Sequence, residues 1–187
     1  MRSVEDIVST PMSGKALQKY VPANKIILFE ELKDKKLQDV LPNETDFIII
    51  LFENVDDLNG HWVALLKYPE GSKHYIEFFD SYGNTPAQVY NSNTKRRNKE
   101  LEQDRNYLSI MIKKFLSKNP KYVFIYNEKK YQKLDQSIAT CGRWVIFRIL
   151  TLIFRKFSLQ EFQEQFAKLK SISRNESNDA IVSLLVR

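Results

Sequence analysis

A chain of 187 residues that is 43% hydrophobic and 12% aromatic can bury a full core, which excludes a disordered chain and suggests one domain over 1–187. Its one cysteine excludes an internal disulfide framework and fits a reducing compartment, and with only two histidines beside it a structural zinc is not expected. A net charge of +6 permits attraction to polyanions without requiring it.

The opening residues 1–14 contain no apolar h-region, so no signal peptide is expected. Ser13 to Val21 reads as a short capped helix, and Glu30 to Val40 as another, closed by Pro42. Phe47 to Phe52 is a continuous apolar run of strand length, which predicts a central strand buried on both faces. A polar, acidic loop from Glu53 to Gly60 follows.

Trp62 to Tyr68 and His74 to Phe79 read as two strands of a hairpin, with Pro69 to Lys73 as the turn. Centring that turn on Gly71 places Trp62 opposite Asp80 and His61 opposite Ser81. The polar segment from Asn91 to Arg105 reads as a loop leading into a helix. Its cluster Lys95-Arg96-Arg97-Asn98-Lys99 is the densest basic stretch; a solvated loop or helix start is one reading and a nucleic-acid contact another. Leu108, Ile112, Phe115 and Leu116 carry helical periodicity up to Asn119-Pro120. Tyr122 to Tyr126 is the last clear strand, and Ser158 with Glu161 forms a capping box ahead of Leu159, Phe162, Phe166 and Leu169. The apolar stretch from Trp144 to Phe154 is interrupted by Arg148 and falls short of the roughly 20 residues of a membrane span. Helices, then a cluster of mostly antiparallel strands, then helices give an α+β domain with a mostly antiparallel central sheet.

The chemistry centres on Cys141. Thr140 is a plausible N-cap, and Cys141 then sits in the first turn of a buried helix, whose partial positive charge favours a thiolate. The hairpin brings His61, at the start of one strand, beside Asp80, at the end of the next. A carboxylate there orients the imidazole and stabilises its protonated form. The blander alternative makes His61 a strand-edge residue, Asp80 a turn-former and Cys141 a buried hydrophobe. His74 lies at the far end of the hairpin, on the order of 20 Å away, and is a poor base. Ser81 lacks the Gly-x-Ser-x-Gly context and following helix of a nucleophile elbow, and with five glycines no phosphate-cradling loop is found.

Three blocks then carry a resemblance: Gly60-His61-Trp62-Val63, Phe78-Phe79-Asp80-Ser81-Tyr82-Gly83, and Thr140-Cys141-Gly142-Arg143-Trp144. In this order they resemble the viral maturation cysteine proteases. These are similar to the adenovirus protease adenain and, more distantly, to the SUMO-deconjugating proteases of permuted papain-like fold. The version found in large DNA viruses, virophages and polinton-like elements is the most similar. The blocks span about half of the chain, from Asn59 to Arg148.

The resemblance implies Cys141 as nucleophile, His61 as general base paired with it, and Asp80 as the residue orienting His61. It also implies a glutamine ahead of the cysteine whose amide, with the cysteine N–H, forms the oxyanion hole. Gln132 and Gln136 both qualify, and Gln132 is preferred on its spacing. Trp62 would wall the site, and Gly142, without a side chain, would let substrate backbone pass close to the sulfur. The implied activity is cleavage of capsid or core precursors in the virion, host cytoplasm or viral factory, after small residues, often Gly-Gly-X or Gly-X-Gly. No cofactor is required. DNA stimulation through Lys95, Arg96, Arg97 and Lys99 is compatible with the charge. Two other functions stay open: a deubiquitinase or SUMO-type isopeptidase, and a non-catalytic basic virion protein.

Overall fold

A computed structural model describes residues 3–53, 60–92, 95–173 and 176–187, with Lys95 and Arg97 given by their backbone alone. Among the described residues five strands form one sheet in chain order: β1 (Ile26–Leu28), β2 (Asp46–Phe52), β3 (His61–Glu70), β4 (Lys73–Phe79) and β5 (Tyr122–Tyr126). The sheet is mixed, and the mostly antiparallel expectation is corrected. β2–β3 and β3–β4 are antiparallel, while β1–β2 and β4–β5 are parallel. The reason lies in the connections. The chain between β4 and β5 carries three helices, α4 (Pro86–Asn91), α5 (Lys95–Glu100) and α6 (Tyr107–Leu116), and such a crossover returns the chain in the same direction.

Both faces of the sheet are covered. Phe47, Ile49, Trp62, Ala64, Leu66 and Phe79 face one core; Ile48, Ile50, Phe52, Val63, Leu65 and Phe78 face the other. This alternation explains why β2 is apolar at successive positions, as the sequence predicts for a doubly buried strand. Against the second core lie α6 and α3 (Leu37–Val40). The first core is closed by α7 (Cys141–Arg155), α8 (Leu159–Ile172) and α9 (Asn178–Leu185) with α2 (Gly14–Leu17), and α1 (Val4–Ser9) packs on α9.

Several local readings shift. The hairpin is tighter than expected: β3 runs through Pro69 to Glu70, which pairs with Lys73, and the turn is Gly71-Ser72 alone, with Gly71 at φ +58°. The register moves by one residue, so Ala64 faces Phe79 and the ladder stops short of Asp80. The helix expected over Glu30 to Val40 breaks into a 3₁₀ turn, Glu30–Leu32, and α3. Here the Phe29 N–H continues β1 onto the Leu51 carbonyl and the Leu28 N–H is taken by the Glu31 carboxylate, so sheet pairing runs up to Phe29, where the backbone turns helical. The basic cluster lies on α5 with Arg96 exposed and paired to Glu100, and the loop expected after Glu53 lies at 54–59 outside the described residues. The α8 capping box is as expected, with Ser158 Oγ accepting from the Glu161 N–H and the Glu161 carboxylate from the Ser158 N–H. Among the described residues no helix is long and apolar enough to cross a membrane.

The core on the α7 side holds an ion pair. Arg148 donates from Nε and Nη2 to the two carboxylate oxygens of Glu77 at 2.8 and 2.7 Å, and both side chains are fully buried. Tyr68 donates its hydroxyl to Glu77, and Arg148 Nη1 donates to the Phe157 carbonyl. Arg148→Met alone strands a buried carboxylate, and is expected to lower the unfolding free energy by about 3–5 kcal/mol in urea titrations. Replacing both partners, Glu77→Leu with Arg148→Met, is expected to recover much of that loss.

Candidate active site

Four segments converge at one end of the sheet. β3 begins with His61, and the chain leaving β4 passes directly into Asp80-Ser81-Tyr82-Gly83. The loop after β5 brings Tyr131 and Gln132, and α7 opens with Cys141. His61 and Asp80 meet although they lie just beyond the β3–β4 ladder, so the one-residue shift in register does not separate them.

His61 Nε2 lies 2.6 Å from Asp80 Oδ1, which leaves Nδ1 for the thiol of Cys141, with which His61 also hydrogen-bonds. Asp80 is fully buried, and its carboxylate accepts further bonds from the N–H groups of Tyr82 and Asn84, at 3.1 Å each. Burial alone disfavours its charge, but the His61 charge and these donors outweigh burial and hold its carboxyl below the usual range. For His61, burial pushes the imidazole down, while the charge and hydrogen bond of Asp80, joined by Cys141, raise it to about 10. At Cys141 burial favours the neutral thiol, yet the hydrogen bond and charge of His61 and the N–H groups of Trp62 and Gly142 pull its pKa down. The arrangement favours a thiolate–imidazolium pair at neutral pH. His61 keeps 22% of its side chain exposed, and Cys141 is half-buried, so the pair is reachable.

Thr140 stands ahead of α7, but its hydroxyl does not cap the helix as the sequence suggests. It donates instead to the Asp179 carboxylate from α9. Of the two glutamines, Gln132 is buried beside the site and Gln136 is exposed. The Gln132 amide oxygen accepts from Ser81 Oγ at 2.9 Å, and its nitrogen donates to the Tyr82 hydroxyl at 2.9 Å and the Ile138 carbonyl at 3.2 Å. Trp62 is buried, its indole N–H donating to the Met12 carbonyl at 2.8 Å. A Cβ on Gly142 would meet Met12 Cβ at 3.0 Å and Trp62 at 3.3 Å, so close packing of the 12–17 segment also requires this glycine. His74 faces Glu44 and Tyr122 at the opposite end of β4.

Other supports carry little signal in the sequence. Tyr82 stacks on the His61 ring, with centroids 5.1 Å apart. The Ser81 carbonyl accepts from the N–H groups of Tyr131 and Gln132, at 2.8 and 3.0 Å. Asn127, fully buried, donates to the Asp80 and Lys129 carbonyls at 2.8 Å each. Gly83 sits at φ +76° with a Cβ position only 2.7 Å from the Glu128 carbonyl oxygen, so only glycine lets the 128–129 backbone approach. The position of Ser81 and Tyr82 directly after Asp80 was the one available hint; Asn127 and Asp179 have none.

No family model matches the sequence. Among solved structures, two crystal structures of the ASFV pS273R protease, one of them of the selenomethionine protein, match 94% of this chain, at 13% and 12% identity with a TM-score of 0.57 each. The chain spans 66% of that protease's length, and the likeness is one of fold. An uncharacterized protein, V9 of Sputnik virophage, is 30% identical over 152 residues, which cover 81% of both chains. That stretch takes in most of the chain, so the chain belongs to the family of the Sputnik virophage protein V9 and has the fold of a viral protease.

Proposed function

We propose that this protein is a cysteine endopeptidase that cleaves viral capsid or core precursors during virion maturation. The observation that carries the reading is the hydrogen-bonded series Cys141–His61–Asp80, with Asp80 fully buried and Gln132 lodged alongside. A buried carboxylate, a partly exposed imidazole and a thiol in the first turn of a helix are the elements of acyl transfer at sulfur.

In this mechanism the Cys141 thiolate attacks the scissile carbonyl carbon, and the carbonyl π electrons move onto oxygen. The Cys141 N–H and one Gln132 amide hydrogen hold that oxyanion, the longer bond from Gln132 to Ile138 being the one exchanged. Collapse breaks the C–N bond as His61 gives its proton to the leaving amine. Neutral His61 next takes a proton from water, whose oxygen attacks the thioester. Collapse of the second intermediate releases the acid and regenerates the thiolate, and His61 is again protonated. Asp80 keeps the imidazolium oriented throughout. The fold shared with the ASFV pS273R protease and the family tie to a virophage protein support a viral proteolytic role.

Incubating the protein with structural precursors of its virus, with ubiquitin-like conjugates in parallel, tests the substrate. Precursor cleavage that vanishes in Cys141→Ala and falls about a hundredfold or more in Gln132→Ala is the expected outcome. Cleavage of ubiquitin-like conjugates alone would move the assignment to the isopeptidases, and full activity in Cys141→Ala would overturn it. Duplex DNA at low salt is expected to raise the hydrolysis rate if the α5 cluster guides the enzyme; an unchanged rate removes DNA from the proposal.

Iodoacetamide reports the ion pair directly. With the thiol pKa lowered and His61 titrating near pH 10, the alkylation rate is expected to stay nearly flat from pH 6 to 9. In His61→Ala the rate should instead climb through a pKa of about 8.5, that of an ordinary thiol. The same climb in the wild-type protein would rule out the pair.

A further inference from the structure

The geometry points to Asp179, on the C-terminal helix, as a positioning residue that fixes the spacing of the two oxyanion donors. The inference rests on the reading of Cys141 and Gln132 given above. Asp179 belongs to the first turn of α9, far in sequence from either residue, and is 2% exposed. Its Oδ1 accepts from the Thr140 hydroxyl and from the Trp144 indole N–H, the latter at 3.2 Å. Its Oδ2 accepts from the Lys133 backbone N–H at 3.0 Å. The adjacent Asn178 donates to the Tyr131 carbonyl at 3.3 Å.

These partners are not scattered. Tyr131 and Lys133 bracket Gln132, and Thr140 immediately precedes Cys141. One carboxylate therefore grips the loop that presents the Gln132 amide and, through its other oxygen, the start of the helix that presents the Cys141 N–H. A carboxylate meets all three of these donors at once, one oxygen taking the loop and the other the helix start. The three donors touching it are a hydroxyl, an indole N–H and a backbone N–H, none of them a cation. A carboxylate buried on such terms is costly, which argues that its acceptor geometry is what the site uses. Thr140 is thereby diverted from capping α7, and the chain bends into the helix at φ −101° and ψ 2°.

Substitutions at the two ends of the tie separate this role from bulk stability. Asp179→Asn keeps the shape but places an NH2 donor against either the Lys133 N–H or the Trp144 indole N–H, so the tie fails on one of its two sides. Thr140→Val removes the hydroxyl from the other end, and Thr140→Ser restores it. Two reactions of Cys141 are then compared: hydrolysis of a cleaved precursor peptide, which builds an oxyanion, and alkylation by iodoacetamide, which displaces iodide from a saturated carbon and builds none.

Asp179→Asn and Thr140→Val are each expected to lower kcat, by up to about a hundredfold, with KM within about twofold of wild type. Their alkylation rates between pH 6 and 8 are expected to match the wild type, and Thr140→Ser to recover kcat. Unchanged hydrolysis in both variants overturns the inference. So does a parallel fall in hydrolysis and alkylation, which marks general loosening of the fold. A wild-type chain that cleaves no peptide overturns the protease reading itself, and the inference with it; an active wild type with unaffected variants overturns the inference alone.

Discussion

The ion pair between Glu77 and Arg148 sets the relation between the sheet and the helix that carries the cysteine. Both charges are out of water, and such burial stabilises a fold little when the pair is compared with well-packed apolar side chains. What it enforces is alignment. Glu77 lies on β4 just ahead of Asp80, and Arg148 lies on α7 about two turns beyond Cys141. Sliding α7 by one residue would turn Arg148 away from Glu77 and leave two unpaired buried charges. The two-point bond, the Tyr68 hydroxyl on Glu77 and the Tyr68 and Phe162 rings over the guanidinium leave few other geometries. Asp80 and Cys141 inherit their separation from this pair.

Around that frame the polar groups of the site are arranged in a chain of supports. Ser81 holds the Gln132 side chain and backbone, Asn127 holds the Asp80 carbonyl, and Asp179 holds the residues beside Gln132 and Cys141. Each is buried, and each satisfies groups that would otherwise be costly to remove from water. The result is a rigid rim with two partly accessible groups, His61 and Cys141. Their mutual charge is favoured because Asp80, deeply buried and supplied with backbone donors, remains ionised beneath them. The apolar packing behind Cys141, where Met12, Leu17 and Trp62 fill the space at Gly142, keeps the first turn of α7 in place.

The sequence by itself determined whatever depends on near neighbours and on periodicity. His61 and Asp80 meet because a hairpin returns the chain on itself, and a shift of one residue at Gly71 leaves both at the same end. The unbroken apolar run of β2, the α8 capping box and the start of α7 at Cys141 were equally local. Tertiary structure alone decided the rest, because it joins segments through long connections that periodicity does not report. The parallel pairings of β1 with β2 and of β4 with β5 follow from the excursions before β2 and β5, and the three residues of β1 are too few to show a period. In sequence only spacing favours Gln132 over Gln136, and the Ser81 and Tyr82 partners that bury the first come from beyond β4. Thr140 reads as a helix cap, but its hydroxyl donates to Asp179 of α9 and accepts no bond from the first turn of α7. A polar side chain's place is set by the partner that satisfies it, and here those partners arrive from distant parts of the chain.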